Sequence, residues 1–355
     1  MKGMKIGIDF GSSSLKIYAE GKGLVIDEPS VVAIDNTTGN PIAFGKAADK
    51  VDGRCNEDIV ISKVIRNGIV SDFDMAERML RFYLQRVCGN RIYKPNVIVS
   101  LPSNISNLEK KTFHDVVNLA GAGRVCMVDG ILASALGCDI SIDKNENRLM
   151  LDIGHHVTEY AIISSGKVLA SGTIKHGSDK IDKIIINHLK RDRDILIGPH
   201  TAREIKNKIA SANPRNCEVA LFVSGKSHLD NMPISFEITS TEIFPYVNEQ
   251  IDVLVNEIGN SISKESTRLL NELENFNVVI CGGGALIFDI ADRFTNILNV
   301  ECCVVNEPRY ARIRGLGKFV SNKELLDNYG YRFIFKDEIS DRIKNKGVFN
   351  YEKNY

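Results

Sequence analysis

A strand, a tight polar turn and a returning strand occur twice in this chain. Residues 5–18 read KIGIDFGSSSLKIY, and residues 149–163 read LMLDIGHHVTEYAII. Each copy is an apolar run that ends in an Asp-x-Gly turn, with Asp9 and Asp152 at equivalent positions. Because such self-similarity indicates a repeated architecture, the sequence predicts two related halves.

Amphipathic helices follow each hairpin. The spacing of apolar residues predicts helices over 73–87, 106–121, 179–189, 201–210 and 240–265, and buried strands over 97–100 and 278–281. Two helix starts carry capping-box patterns, Ser106 with Glu109 and Thr201 with Glu204. Strands that alternate with helices in two related halves predict two α/β lobes facing a cleft.

The length of 355 residues also favours two hydrophobic cores rather than one. We expect lobe I to span 1–143 and to be completed by about 313–335. Lobe II then spans 144–312, and 336–355 form a polar C-terminal tail. Within the completing segment, 329–335 are apolar enough to dock or pair as a strand.

Charge and composition exclude some classes of function. Lys+Arg and Asp+Glu both number 45, so the chain lacks the net positive charge that drives binding to nucleic-acid backbones, and no nucleic-acid partner is expected. It has no apolar stretch of about 20 residues and no apolar N-terminal signal. Its eight cysteines show no CxxC spacing. These features together favour a cytoplasmic protein.

The two hairpin turns are suited to binding phosphates. In each, an acidic residue ends a strand and the following turn exposes successive backbone N–H groups, which bind anions. Asp9 and Asp152 would hold a Mg²⁺ ion through waters, and Lys16 would add a positive charge near the β-phosphate. A single Asp-x-Gly turn is more often structural, but its duplication favours a site.

Two further segments leave alternatives open. Gly282, Gly283 and Gly284 follow a buried strand, where glycines either admit a ligand to a helix N-terminus or form a tight turn. His155 and His156 suggest a metal site. Adjacent side chains at a strand end are expected to point apart, and no third ligand is suitably spaced, so a polar turn is favoured.

The order of these motifs resembles the superfamily of actin, sugar kinases and heat-shock-chaperone ATPases, and most closely the MreB family of bacterial actin homologues. The likeness covers about Lys5 to Phe319 and is specific in four segments: 23–34 (GLVIDEPSVVAI), 67–74 (NGIVSDFD), 201–206 (TAREIK) and 281–286 (CGGGAL). It implies the α/β actin-like ATPase fold, two duplicated lobes around a nucleotide cleft.

The resemblance also implies function. It predicts ATP or ADP with Mg²⁺, filaments at the inner face of the cell membrane, and cell-shape determination by guiding wall synthesis. The expected partners are further copies of the chain, a co-polymerising paralogue, the membrane and the cell-wall elongation machinery. The nucleotide-binding residues that it implies are Asp9, Gly11, Ser12, Ser13, Ser14, Lys16, Asp152, Gly154, His155, His156, Val157, Asp179, Arg203, Glu204, Ile205, Lys206, Gly282, Gly283, Gly284, Ala285 and Leu286, with Asp9 and Asp152 on Mg²⁺.

Two departures from the family pattern affect hydrolysis. The second phosphate turn of the family has three glycines and two threonines, and Val157 replaces the threonine that helps to place the attacking water. The family's water-orienting glutamate, followed by proline, aligns with Gly130 and Ile131. We therefore expect weak or lost hydrolysis. Asp129 is the one candidate substitute, although its side chain is shorter and starts one position earlier.

A membrane contact is the last signal. Between the helix ending at Gly89 and the next strand, Ile92 and Tyr93 are flanked by Arg91 and Lys94. This segment resembles the loop that MreB proteins insert into the bilayer, and the alternative is an ordinary exposed loop. For the whole chain, the alternative function is an active ATPase or a sugar-kinase-type phosphotransferase, which would need a further catalytic aspartate.

Overall fold

The computed structural model describes residues 3–52, 58–89, 93–139, 147–164, 167–265 and 276–334. These residues fall into two compact units. The first unit draws on Met1–Ile140 and on the chain from Tyr310 onward, and the second on Ser141–Arg309. The predicted tail at 336–355 lies outside the described residues.

The described residues of the first unit form ten strands. They are β1 Lys5–Phe10, β2 Ser14–Ala19, β3 Gly23–Pro29, β4 Val31–Asp35, β5 Pro41–Phe44, β6 Ile59–Lys63, β7 Ile65–Arg66, β8 Ile69–Val70, β9 Asn96–Leu101 and β10 Arg124–Asp129. Its helices are Lys46–Asp49, Phe73–Cys88, Asn107–Leu119, Gly130–Gly137, Ala311–Ser321 and Lys323–Asn328.

Five of these strands form the main sheet, in the order β10-β9-β1-β2-β3. β1 lies at its centre, antiparallel to β2 and parallel to β9. The helices Phe73–Cys88 and Asn107–Leu119 bury their apolar sides in the same core as the central strands, for example Met79, Leu80 and Phe113 with Ile6 and Ile8. The main sheet thus places the first Asp-x-Gly turn at the end of its central strand.

Eight strands form within the part of the second unit that the structure describes. They are β11 Arg148–Ile153, β12 Thr158–Ser164, β13 Lys167–Ile174, β14 Ile195–Leu196, β15 Ala220–Ser227, β16 Pro233–Thr239, β17 Asn277–Cys281 and β18 Cys302–Val304. Its α-helices are Asp179–Arg193, Pro199–Ile209, Ser240–Glu265 and Ile290–Leu298, with 3₁₀ turns at Gly283–Leu286 and, next to the first unit in sequence, Pro308–Tyr310.

The main sheet of the second unit repeats that of the first. Its order is β13-β12-β11-β17-β18, with β11 antiparallel to β12 and parallel to β17. β11 therefore corresponds to β1, and β17 and β18 correspond to β9 and β10. The duplication read from two hairpins extends to the whole sheet, which confirms the prediction of two related α/β halves.

Helix boundaries mostly agree with the sequence. The helix Phe73–Cys88 begins at Asp72, whose side chain accepts from the Met75 N–H, and ends at Gly89 with a positive φ of 61°. Ser106 and Glu109 form the predicted capping box. The capping box at Thr201 was wrong, because that helix begins earlier, at Pro199, a residue well suited to the first helical position.

A crossing of two helices in the first unit depends on small residues. The helix Gly130–Gly137 is wholly buried and packs against Ala311–Ser321. A Cβ atom at Gly137 would overlap the Ala311 carbonyl oxygen, and a Cβ atom at Gly315 would overlap the carbonyl oxygen of Ala133. The two backbones therefore touch directly, at a distance that only glycine permits.

The end of the described chain returns to the first unit's sheet. Ile334 pairs with Val125 of β10 in an antiparallel bridge, and Tyr331 and Ile334 are both buried.

Within the described residues, no helix is both long enough and apolar enough to cross a membrane.

The helix crossing yields a stability prediction. Gly315→Ala should lower the free energy of unfolding by about 1–3 kcal/mol, because the new methyl group has no space. Gly259→Ala is the matched control, since a Cβ atom there meets nothing within 4 Å and alanine favours the helix by about 1 kcal/mol. Thermal unfolding monitored by circular dichroism measures both. Equal melting temperatures for the two variants would contradict the close packing.

Candidate functional site

The first Asp-x-Gly turn is built around a buried ion pair. Asp9 lies opposite Lys16 in the β1–β2 register. The Lys16 ammonium is 3.5 Å from Asp9 Oδ2 and donates to the Ser14 hydroxyl at 2.7 Å. Both charged residues are buried. The charge of Asp9 is therefore already balanced within the first unit.

Neighbouring loops hold the backbone of this turn. The Gly11 N–H donates to the Ser14 carbonyl at 3.0 Å and closes the turn. The Ser12 hydroxyl accepts from the Gly68 N–H at 3.4 Å, and the Ser13 carbonyl accepts from the Ser30 N–H at 3.2 Å. The Ser13 side chain is exposed, so the turn presents a preformed polar surface.

The second turn has the same backbone closure. The Gly154 N–H donates to the Val157 carbonyl at 2.9 Å, and a Cβ atom at Gly154 would lie 2.7 Å from that oxygen. Val157 thus occupies the position that Ser14 has in the first turn. The buried charges differ, because Asp152 lies opposite Glu159 where Asp9 lies opposite Lys16.

The two histidines of this turn stack on each other. The rings of His155 and His156 are 4.6 Å apart between centroids and inclined by 30°. The expectation that they point apart was wrong, because the turn curls the chain and brings both rings to one side. Nowhere in the described chain does a group of three His, Cys, Asp or Glu residues form a candidate metal site.

The second turn packs on the start of the helix Asp179–Arg193. The Ser178 N–H donates to the Gly154 carbonyl at 3.0 Å, and the Asp179 N–H donates to the His155 carbonyl at 2.8 Å. Asp179 is buried, and its Oδ1 atom has no hydrogen-bond partner among the described residues. A buried oxygen of this kind suits a polar ligand.

The side chains of the segment 201–206 lie in three different environments. Ile205 is in the core, while Glu204 is exposed and pairs with Lys208. Lys206 is buried, with its ammonium 2.8 Å from Asp182 Oδ1 and 3.1 Å from the Ser178 carbonyl. Burial lowers the pKa of Lys206 below its usual value, although the Asp182 carboxylate opposes this shift.

Arg203 lies one turn before Lys206 on the same helix. Its side chain is half-buried, and its Nε atom has no hydrogen-bond partner in the described part of the chain. The sequence predicts a helix that bears both Arg203 and Lys206, and the structure contains that helix. The sequence does not predict that Lys206 would be occupied by an ion pair.

The three glycines after β17 have different environments. Gly282 has a φ of 87°, and a Cβ atom there would overlap the Asp152 carboxylate. A Cβ atom at Gly284 would overlap the Ile153 side chain, whereas at Gly283 nothing lies within 4 Å. Gly282 and Gly284 therefore allow β17 to approach β11. Gly283 is exposed and has the open space that a ligand would need, whereas Gly282, Gly284 and Ala285 are buried.

Asp129, the last residue of β10, has a hydrogen-bond partner that the sequence did not predict. The Tyr331 hydroxyl donates to Asp129 Oδ2 at 3.0 Å and accepts from the Asp129 N–H at 3.2 Å. Asp129, the candidate substitute for the missing glutamate, is thus bonded to the C-terminal segment. Sequence reasoning missed Tyr331, because nothing in the local pattern at 329–335 points to β10.

The predicted membrane loop is described only in part. Tyr93 is 51% exposed, and Lys94 is also exposed. Arg91 and Ile92 lie outside the described residues. Membrane insertion of Ile92 and Tyr93 therefore stays a prediction.

Comparison with known proteins decides the family. The family model described as MreB/Mbl protein matches residues 3–328. The chain belongs to the MreB/Mbl family. Its relatives include the cell shape-determining protein Mbl of Bacillus subtilis strain 168, 29% identical over 322 residues, covering 90% of this chain and 97% of Mbl. The cell shape-determining protein MreB of Escherichia coli K12 is 29% identical over 331 residues, covering 92% and 94%.

Solved structures confirm the actin-like fold of this MreB/Mbl chain. MreB5 of Spiroplasma citri bound to ADP superposes with a TM-score of 0.83 at 26% identity, covering 97% of this chain and 99% of that chain. Its AMPPNP-bound form gives 0.84 at 26% identity, covering 98% and 100%. A MamK double helical filament structure gives 0.73 at 16% identity, covering 90% and 98%, and supports the fold alone.

The residues of the two turns fit a phosphate ligand. Each turn is closed by its own backbone bond, which keeps its N–H groups oriented for an anion. Asp9 and Asp152 each offer carboxylate oxygens, the hard donors that Mg²⁺ takes.

The glycine environments generate a second prediction. Gly282→Ala should lower the melting temperature of the chain, because it combines a positive φ with overlap on Asp152. Gly283→Ala is the matched control and should melt like the parent, since its Cβ atom meets nothing within 4 Å. Differential scanning calorimetry without ligand compares them. A Gly282→Ala protein that melts with the parent would show that this backbone is not constrained.

Proposed function

We propose that this chain is a cytoskeletal cell shape-determining protein that assembles into filaments on the cytoplasmic face of the cell membrane and guides wall synthesis. It binds ATP or ADP and hydrolyses ATP weakly or not at all. The observation that carries the proposal is the duplicated Asp-x-Gly turn, at the end of the central strand of two equivalent sheets. Family membership and the nucleotide-bound MreB5 structures support it.

The nucleotide contacts come from the two turns and the nearby polar groups. Backbone N–H groups of Ser12 to Ser14 and of His155 to Val157 bind phosphate oxygens, and Lys16 supplies positive charge. Asp9 and Asp152 would hold Mg²⁺, which would offset the negative charge of the phosphates. Gly283 and the side of the helix that bears Arg203 and Lys206 would contact the adenosine. A bound Mg-ATP would supply the phosphoanhydride bond whose cleavage the family uses.

Weak hydrolysis follows from the groups that are missing. Val157 has no hydroxyl group to hold a water, and Gly130 has no side chain. The carboxylate of Asp129 is already bonded to Tyr331. Without an oriented water the barrier rises by several kcal/mol, because orientation is a large part of such catalysis.

Assembly into a filament adds together the weak membrane contacts of the single subunits. The partners we propose are further copies of this chain, a co-polymerising paralogue and the cell-wall elongation machinery, at the membrane surface. Complete burial of Ile92 and Tyr93 contributes about 3–5 kcal/mol. That corresponds to about millimolar affinity for a monomer, so membrane attachment requires the avidity of a filament.

The main test combines pelleting and phosphate release. The chain should sediment as polymer with AMPPNP or ATP, and its phosphate release should be at least about tenfold below that of a relative with glutamate and threonine at these positions. Turnover at the relative's rate would contradict the proposal, and Asp129→Ala would then show whether Asp129 orients the water. Phosphorylation of a sugar in a substrate screen would favour the phosphotransferase alternative.

Nucleotide binding is tested separately by calorimetry. Asp9→Asn should weaken binding of Mg-ATP more than binding of ATP in EDTA, because the carboxylate acts through the metal ion. The exposed Asp74→Asn serves as the control for a lost surface charge. Equal affinities of parent and Asp9→Asn for Mg-ATP would exclude the first turn from the site.

Membrane attachment is tested by co-sedimentation with vesicles of phosphatidylglycerol and phosphatidylcholine. Replacing Ile92 and Tyr93 together by Ser should abolish vesicle binding and leave polymer formation intact, because the interfacial apolar area is lost. Leu108→Ser is the matched control, since Leu108 is 73% exposed at another place in the first unit. Undiminished vesicle binding of the double variant, or tight binding of a monomer, would show that this loop is not the attachment point.

A further inference from the structure

A cationic side chain lies at Gly130, where the family resemblance predicts a water-orienting glutamate. Gly130 is buried. A Cβ atom there would lie 2.7 Å from Arg312 Nη1, 2.9 Å from Arg312 Cζ and 3.1 Å from the Leu101 carbonyl oxygen. The end of the Arg312 side chain therefore lies in the volume into which a side chain at position 130 would grow.

The helix crossing fixes the place of this guanidinium. Arg312 is the second residue of the helix Ala311–Ser321, which packs backbone to backbone on Gly130–Gly137. Its Nε atom donates to the Ser134 hydroxyl at 3.4 Å, one turn of helix after Gly130. Because the two backbones are in contact, the guanidinium lies against the first turn of the buried helix.

Guanidinium and carboxylate have opposite hydrogen-bonding chemistry. In ATP hydrolysis the water oxygen forms a bond to the γ-phosphorus, the bond to the bridging oxygen of ADP breaks, and the water proton passes to phosphate. A group that orients this water accepts a hydrogen bond from it. An ionised carboxylate accepts, whereas a guanidinium has five N–H donors and no acceptor.

We propose that Arg312 occupies the vacant glutamate position and prevents a water-orienting acceptor from being placed there. At this position Arg312 thus adds to the effect of the missing glutamate, and it acts besides the replacement of threonine by Val157. The inference deepens the proposed function and rests on it. Its specific consequence is that restoring a glutamate at position 130 does not restore hydrolysis while Arg312 is present.

The first test measures occupancy without nucleotide. Gly130→Ala should lower the melting temperature both in the parent and in an Arg312→Ala background. The decrease should be about 2–4 °C larger in the parent, which corresponds to about 1 kcal/mol in a domain of this size. Arg314→Ala is the matched background, because Arg314 lies on the same helix and its Nε atom donates to the Gly137 carbonyl at 3.1 Å. The penalty should remain in that background. Equal penalties in the Arg312→Ala and parent chains would overturn the inference.

The second test measures phosphate release in a Val157→Thr background. The pair Gly130→Glu with Arg312→Ala should release phosphate at least about tenfold faster than Gly130→Glu alone, and Gly130→Glu with Arg314→Ala should not. Equal rates with and without Arg312 would overturn the inference, whether both are fast or both slow. Fast turnover by the unaltered chain would instead overturn the proposed weak hydrolysis, and the melting experiment would still report on Arg312.

Discussion

The backbone hydrogen bond that closes each Asp-x-Gly turn is the interaction on which both units depend. It joins Gly11 to Ser14 at 3.0 Å and Gly154 to Val157 at 2.9 Å. Each closure sends the chain back as an antiparallel partner of the central strand, β1 or β11. The other strands of each main sheet then add on either side, in the same order in both units. A turn that is closed in this way keeps its N–H groups in one orientation, which is the preorganisation that an anion site requires.

The two turns differ more in their buried charged residues than in their backbone geometry. In the first, the buried carboxylate of Asp9 has a lysine at 3.5 Å. In the second, Asp152 lies opposite another acid, Glu159, and against Gly282. The same closed turn therefore carries a different pattern of buried charge in each unit.

Segments far apart in sequence meet at the end of β10. The helix Ala311–Ser321 brings Arg312 to Gly130, and the chain beyond it brings Tyr331 to Asp129. Gly130, which aligns with the family's water-orienting glutamate, and its neighbour Asp129 thus both lie against side chains from the C-terminal segment.

The class of fold, the duplication and the two turns could be predicted from the sequence, because these depend on local apolar periodicity and on glycine and aspartate at short spacing. The sequence also placed most helix boundaries, where capping residues act within one turn. Three contacts could not be predicted in this way: the ion pair of Lys206 with Asp182, the stacking of His155 on His156, and the position of Arg312 against Gly130. Those outcomes depend on which distant backbones come close enough to touch, and a linear pattern does not contain that distance.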